Sequence, residues 1–426
     1  MEAHANSTDD YLVDGLSYQL KPGASYAQRR EFATYFPSGS DTYSSTSGVK
    51  VIKIRLSGDT WLDPSTVRVM FDINNTHATD NLTFISGPHC FFRRLRILAG
   101  GTCIEDIDNY NKIHEMFSTF QTKDVRHNDD IEGMVSYKDT LAHSQTFLGL
   151  EALGPGKKRT VGMKLCSGIL NQDKMLPIRY CPLEIELELV NQPQDSVKEA
   201  APSWTLSNVQ LKADTITLDS ALQNSYASHL LEGKSLNINF QTYVAQDQVV
   251  SNWDSSINIS RAASRLKAIF ISLMGNIGNV NLKEFNTFWH PMGDNAGFEG
   301  YYVPEYEFET QVQIGSKVYP SNMPIRSVSE AFCQLRKTLG VHSSSFHAID
   351  VSPGEYRSFA HIQAFDLEKM IGSSFTGENT RDGSLMTVKI KANNPGSMPS
   401  NPTKCLTCII TDNILEIRDT GVVVFD

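Results

Sequence analysis

Seven residues, Leu183-Glu-Ile-Glu-Leu-Glu-Leu189, alternate without a break between apolar and acidic side chains. An extended chain, whose successive side chains point to opposite faces, buries the four apolar members together and leaves the three carboxylates in water. The segment is therefore a half-buried strand, and it stops at Asn191-Gln-Pro193. The same period of two recurs along the chain. Ile52, Ile54 and Leu56 alternate with Lys53 and Arg55, and Leu95 and Ile97 alternate with Arg94 and Arg96 ahead of Gly100-Gly101. Leu236, Ile238 and Phe240 alternate with Asn237, Asn239 and Gln241, and Met386, Val388 and Ile390 with Thr387, Lys389 and Lys391. Val312 and Ile314 run into Gly315, and Leu266 to Leu273 is apolar enough for a strand buried on both faces. Many short runs of this kind, separated by turn residues, cover their apolar faces by packing sheet on sheet.

Helical spacing is rarer. Ile104, Ile107, Tyr110, Ile113, Phe117 and Phe120 predict a helix with Glu105, Asp106 and Asp108 in its first turn, where carboxylates suit the positive end of the helix dipole. Leu218, Leu222 and Tyr226 predict a second, ending by Gly233. Ile325, Val328, Phe332, Leu335 and Leu339 predict a third, with Pro324 at its start and Gly340 just past its end.

The two halves of the chain repeat one another. Arg94 to Leu98, a glycine turn and the Ile104–Phe120 pattern match Gln311 to Ile314, a glycine turn and the Ile325–Leu339 pattern. Setting Leu98 against Ile314 carries Val51–Leu56 onto Lys267–Ser272, and Leu183-Glu184-Ile185 resembles Leu415-Glu416-Ile417. The expected fold is all-β: two tandem eight-stranded antiparallel jelly-roll sandwiches with short helices in the connecting loops. The expected boundaries are an N-terminal arm over residues 1–47, a first roll over 48–193, a polar linker over 194–203 and a second roll over 204–426.

Composition narrows the function. Hydrophobic residues are 40% and charged residues 20%, ordinary for a globular chain. A net charge of −10 argues against sequence-independent nucleic-acid binding, which needs excess Lys and Arg to displace counterions. Lys157-Lys158-Arg159 beside Gly154-Pro155-Gly156 is a solvated turn. Met1 to Asp14 is polar and acidic and predicts no secretory signal, and the longest apolar run, Ala268 to Met274, is too short to span a bilayer. Without a signal, Asn6, Asn74, Asn81 and Asn258 predict no glycosylation despite their acceptor pattern. The seven scattered cysteines, Cys90, Cys103, Cys166, Cys181, Cys333, Cys405 and Cys408, suit buried free thiols. Cys405-Leu-Thr-Cys408 lies in a strand pattern, so its thiols point to opposite faces and hold no zinc between them.

No catalytic, cofactor or metal site is predicted. Glu105, Asp106 and Asp108 offer carboxylates, but the helix start accounts for them. His342 and His347 with Asp350 have no ligand spacing and no nucleophile turn beside them. His89, His114, His127, His143 and His361 are scattered, and Gly275-Asn-Ile-Gly278 lacks the third glycine of a phosphate loop.

The ordered set of segments resembles a known family. Trp61-Leu62-Asp63-Pro64-Ser65-Thr66 ahead of Phe71-Asp72-Ile73, then Gly100-Gly101 to Tyr110-Asn111, then Pro177 to Val190, are similar to the first module of double jelly-roll major capsid proteins. Ser260-Arg261-Ala262-Ala263-Ser264-Arg265-Leu266, the helix entry at Tyr319-Pro320, and Phe375-Thr376-Gly377-Glu378-Asn379-Thr380 are similar to the second. Members from Polinton-like viruses, adintoviruses and virophages are the ones it resembles, over Val51 to Phe425. The resemblance implies a non-enzymatic structural protein of the virion. It implies homotrimers with a pseudo-hexagonal outline that tile an icosahedral shell around double-stranded DNA, assembled in the host nucleus or cytoplasm. Implied partners are neighbouring capsomers and minor or penton proteins, with no sequence-specific nucleic-acid contact; an internal membrane stays open. The residues themselves also allow a carbohydrate-binding or carbohydrate-active sandwich, with Trp289 and Tyr301-Tyr302 as its aromatic platform, or a single-roll vertex protein with an accessory domain.

Overall fold

The computed structural model describes residues 27–46, 49–131, 152–197, 199, 201–275, 287–294, 302–340, 349–370 and 376–426. In chain order its first part comprises β1 (Ala27–Tyr35), β2 (Val51–Leu56), β3 (Arg68–Asn75), β4 (Phe92–Ala99), β5 (Thr102–Ile107), α1 (Tyr110–Thr119), α2 (Lys123–Ile131), β6 (Lys158–Met163), β7 (Leu183–Leu189) and β8 (Trp204–Leu218). These eight strands form two antiparallel sheets, ordered β6-β3-β8-β1 and β2-β7-β4-β5. Apart from the β4–β5 hairpin, successive strands lie in opposite sheets, which is the jelly-roll winding.

The pattern at Leu183–Leu189 explains the second sheet. Leu187 of β7 stands opposite Ile52 on one side and Leu95 on the other, all buried. The three glutamates face outward onto basic neighbours. Glu184 accepts from Arg55 at 2.7 Å, and Glu186 accepts from Arg96 at 2.9 Å and pairs with Lys53. The alternation thus specifies both the inner face and a cross-strand charge match outside.

After helix α3 (Ser220–Leu231) come β9 (Leu236–Val249), β10 (Ser255–Ile259), β11 (Leu266–Gly275), β12 (Phe308–Ile314), β13 (Lys317–Tyr319), α4 (Val328–Thr338), α5 (Pro353–Tyr356), β14 (Gln363–Asp366), β15 (Met386–Ala392), β16 (Pro402–Arg418) and β17 (Gly421–Phe425). Their sheets are ordered β14-β11-β16-β9 and β10-β15-β12-β13, with β17 folded back on β16. Each strand from β1 to β8 therefore has its counterpart eight strands later, and the chain is two copies of one winding. In both copies the hairpin turns on glycine in the left-handed region, Gly100 and Gly101 (φ 56° and 89°) and Gly315 (φ 57°).

Several expectations need correction. Residues 27–35, expected within an arm, are the first strand of the first roll. Residues 204–218, expected to open the second roll, are the last strand of the first, lying between β3 and β1. The rolls are divided after Leu218, and the polar run at 194–203 is the crossover from one sheet to the other. The physical reason is that the last strand of a jelly roll pairs with its first, a contact too distant in sequence for local pattern to reveal. Thr102–Ile107 is a strand rather than the first turns of a helix. The register shifts opposite Ile97 and Leu98, leaving Ile104 unpaired, and Ile104 and Ile107, three apart, are both buried and mimic helical spacing. The repeat is also differently aligned. The counterpart of β2 is β10, not Lys267–Ser272, and that of β7 is β15, not Leu415–Ile417.

Candidate functional site

The chemically richest region is the seam where the rolls meet. The β14-β11-β16-β9 sheet is apolar on both faces. Cys405 and Ile409 of β16 face the second roll's own core, while Leu406, Cys408 and Ile410 face a cluster continuous with the first roll. Onto that outer face α1 and its C-terminal turn lay two aromatic rings. Phe117 sits 4.8 Å from the Tyr243 ring and 6.0 Å from Phe270, and Phe120 sits 5.8 Å from Phe270. Such pairs add directional preference to the area they bury.

Glu105 anchors the seam from β5. Its carboxylate is 1% exposed and accepts hydrogen bonds from the Ser167 hydroxyl, from Gly168 N–H at 2.9 Å and from Ile169 N–H at 3.3 Å. Thr242 of β9, in the second roll, lies beside the carboxylate and favours its charged form. Burial outweighs these donors and pushes the carboxyl up to about 7. The loop carrying Ser167 is pressed flat on β9: a Cβ on Gly168 would lie 1.3 Å from the Gln241 carbonyl oxygen. Only glycine allows this approach.

Nearby, Lys112 points its ammonium at the Met274 sulfur, 3.1 Å away, and burial followed by the Lys404 charge pushes it down to about 8. Asn109 donates to Asp247 at 3.3 Å and Lys174 to the Asn237 carbonyl at 2.7 Å. A polar recess of about 530 Å³ opens beside these contacts, lined by Arg94, Asp106, Asp108, Arg261 and Asp426. Arg94 is consumed by Asp106 and Arg261 by Asp426.

Each roll also holds a histidine pair. His89, in the turn before β4, stacks on His114 of α1 at 4.0 Å and bonds Glu115 at 2.8 Å. His290, from the connection before β12, meets His361, just ahead of β14, at 4.5 Å. Burial pushes His114 and His361 down to about 3 and His290 well below the usual imidazole range. The first pair lines a cavity of about 230 Å³ with Arg126, Asp129 and Lys164. Lys164 pairs there with Asp129 at 2.9 Å, and Arg126 donates to the Gln121 carbonyl at 2.7 Å.

The residues singled out by sequence are scattered. Glu105 is in the seam, whereas Asp106 and Asp108 face the recess and pair with Arg94 and Arg93. Cys405 and Cys408 are buried on opposite faces of β16, and Cys103 and Cys333 are exposed rather than buried. His342, His347, His143, the His127 side chain and Tyr301 lie outside the described residues. Trp289 is fully buried, its ring packed on Gly275, so it offers no platform for a sugar. Among the described residues no group of three or more metal-ligating side chains comes together. The seam itself was missed because its parts, Glu105, Gly168 and Tyr243, carry no shared local pattern.

No protein-family model matches the sequence, and no curated protein matches it. Solved structures do match in fold. Similar ones include VP54 of PBCV-1, fitted into a reconstruction of the virophage Sputnik, with TM-score 0.61 at 12% identity over 95% of this chain and 98% of that one. The Faustovirus major capsid protein matches with TM-score 0.59 at 10% identity over 96% and 93%. The mavirus major capsid protein matches with TM-score 0.51 at 11% identity over 99% and 94%. The chain has the double jelly-roll fold of viral major capsid proteins, along its whole described length.

Proposed function

We propose that the chain is the major capsid protein of a virus, a structural protein whose three-fold assembly has a pseudo-six-fold outline and tiles an icosahedral shell around double-stranded DNA. The carrying observation is that the seam joins unlike faces of two like rolls. The first roll contributes its β5–α1 side and the second its β9-bearing sheet. The β1-bearing sheet of the first roll, the counterpart of the β9-bearing sheet, leaves apolar side chains uncovered at its β1 edge. On β1 and just beyond it, Phe32 and Phe36 are each 64% exposed, whereas Phe240 on the counterpart strand β9 is 4% exposed. A head-to-tail contact that repeats on free surfaces builds a ring where its rotation closes, and three-fold rotation closes on the third chain. Two rolls per chain and three chains supply six similar uprights. The named capsid proteins of like fold support the same reading.

The chain's loops would engage neighbouring capsomers and minor or penton proteins. The net charge of −10 leaves neutralisation of the genome to another component, without sequence-specific contact. Assembly would take place in the host nucleus or cytoplasm, with or without a membrane beneath the shell.

Sedimentation of the purified protein tests this. A species of three 47.4 kDa chains is expected, with three-fold particles in negative stain. Phe32→Asp combined with Phe36→Asp should yield folded monomers with the far-ultraviolet spectrum of the parent and a melting temperature no longer dependent on protein concentration. A native chain that stays monomeric at every concentration and assembly condition defeats the proposal.

A further inference from the structure

Beside the Lys174–Asn237 contact, an apolar groove of about 550 Å³ runs between the first roll, α3 and the start of β9. Its walls include Trp61, Met175, Pro177, Leu222, Tyr226 and Leu236, and the Trp61 and Tyr226 rings meet at 4.8 Å. Ala27, where β1 begins, forms part of the wall. The sequence ahead of Ala27 carries Leu12, Val13, Leu16, Tyr18 and Leu20 within nine positions, followed by Lys21-Pro22-Gly23.

We propose that residues 12–20 of the same chain dock in this groove. The seven residues from Leu20 to Ala27 span at most about 24 Å, enough to turn back while staying close. So short a tether holds the segment at an effective concentration on the order of millimolar, which no free partner reaches at ordinary protein levels. Asp14 within the segment and Lys174 on the groove's rim are of opposite charge. An apolar cluster tied to one end of an apolar groove removes both from water at small entropic cost. Docking would order the start of β1, the strand whose outer face carries Phe32.

The test uses the four tryptophans. Trp204, Trp253 and Trp289 are at most 5% exposed, and Trp61 alone is partly open. Acrylamide quenching of the full chain therefore reads the groove. In the full-length variant Leu12→Asp, Leu16→Asp, Leu20→Asp, the quenching constant should rise at least twofold while the far-ultraviolet spectrum stays unchanged. A synthetic peptide of residues 9–22 added to that variant should restore the native value. Equal quenching in variant and parent overturns the proposal, as does failure of the peptide to protect. Protection that fades on dilution of the native chain overturns it as well, because the occupant is then a second copy.

Discussion

Replacing Gly168 by alanine puts the seam under the most direct strain. The added methyl carbon would lie 1.3 Å from the Gln241 carbonyl oxygen and 2.5 Å from its carbon, whereas an ordinary contact is 3.4 Å or more. The Ser167–Ile169 loop or β9 must therefore move by roughly 2 Å, well beyond what a packed interior absorbs. Movement of the loop withdraws Gly168 N–H and Ile169 N–H from the buried Glu105 carboxylate. Hydrogen bonds to a charged group contribute about 1.5–3 kcal/mol each, so losing two costs roughly 3–6 kcal/mol. Movement of β9 instead opens the Phe117–Tyr243 contact, at a cost of about the same size. For a roll of this size, each kcal/mol lowers the melting temperature by about 2–4 °C, so a fall of about 6–24 °C is expected. Scanning calorimetry at pH 7 reads it, with Gly154→Ala as control, because a Cβ there meets only Lys157 Cγ at 3.6 Å. If Gly168→Ala melts with the parent, the loop is not wedged against β9 and the account of the seam is wrong.

Acid should destabilise the protein. The unfolded chain takes up a proton near pH 6.5 on His114, His290 and His361, which the fold holds neutral, so their contribution is lost progressively as the pH falls below about 6.5. Glu105 acts in the opposite sense: its raised carboxyl contributes most below about 4.5, and that contribution is gone by about 7. Three groups outweigh one, so melting temperature from pH 7 to 5 should fall, and the fall should be steeper in Glu105→Gln; a rise on acidification contradicts the assignment. Phe117→Ala should cost about 3 kcal/mol through the cavity it leaves at the seam, seen as a lower urea midpoint with an unchanged slope. Ser327→Ala removes the hydroxyl that accepts from Glu330 N–H at the start of α4 and should cost about 1 kcal/mol, measured the same way. EDTA should leave the melting curve unchanged, since Cys405 and Cys408 cannot share an ion across β16.

Local pattern made much of the fold legible. The strands at Ile52–Leu56, Arg94–Leu98, Leu183–Leu189 and Met386–Ile390 stand where alternation predicts them, because period two admits one backbone conformation. The helices near Leu222 and Leu335 likewise follow their spacing. The errors fall where one signal has two physical causes. Ile104 and Ile107 look helical because both are buried three apart across a bulge, and the run at 194–203 looks like a linker because crossovers between sheets are polar too. The seam was illegible: Glu105 read as a helix-start carboxylate, and nothing near Gly168 announces that a β-strand of the other roll lies against it.

By itself the sequence determined which segments are extended, which face of each is apolar, and that the chain holds two related halves, all consequences of side-chain order over ten residues or fewer. Only the tertiary structure decided which strands are neighbours: that Ala27–Tyr35 and Trp204–Leu218 close the first roll, and that Glu105 and Tyr243 meet between the rolls. Alternation says that a strand must cover one face and pair its edges. The partner that does so is selected by packing across nearly two hundred residues, and no local pattern encodes that choice.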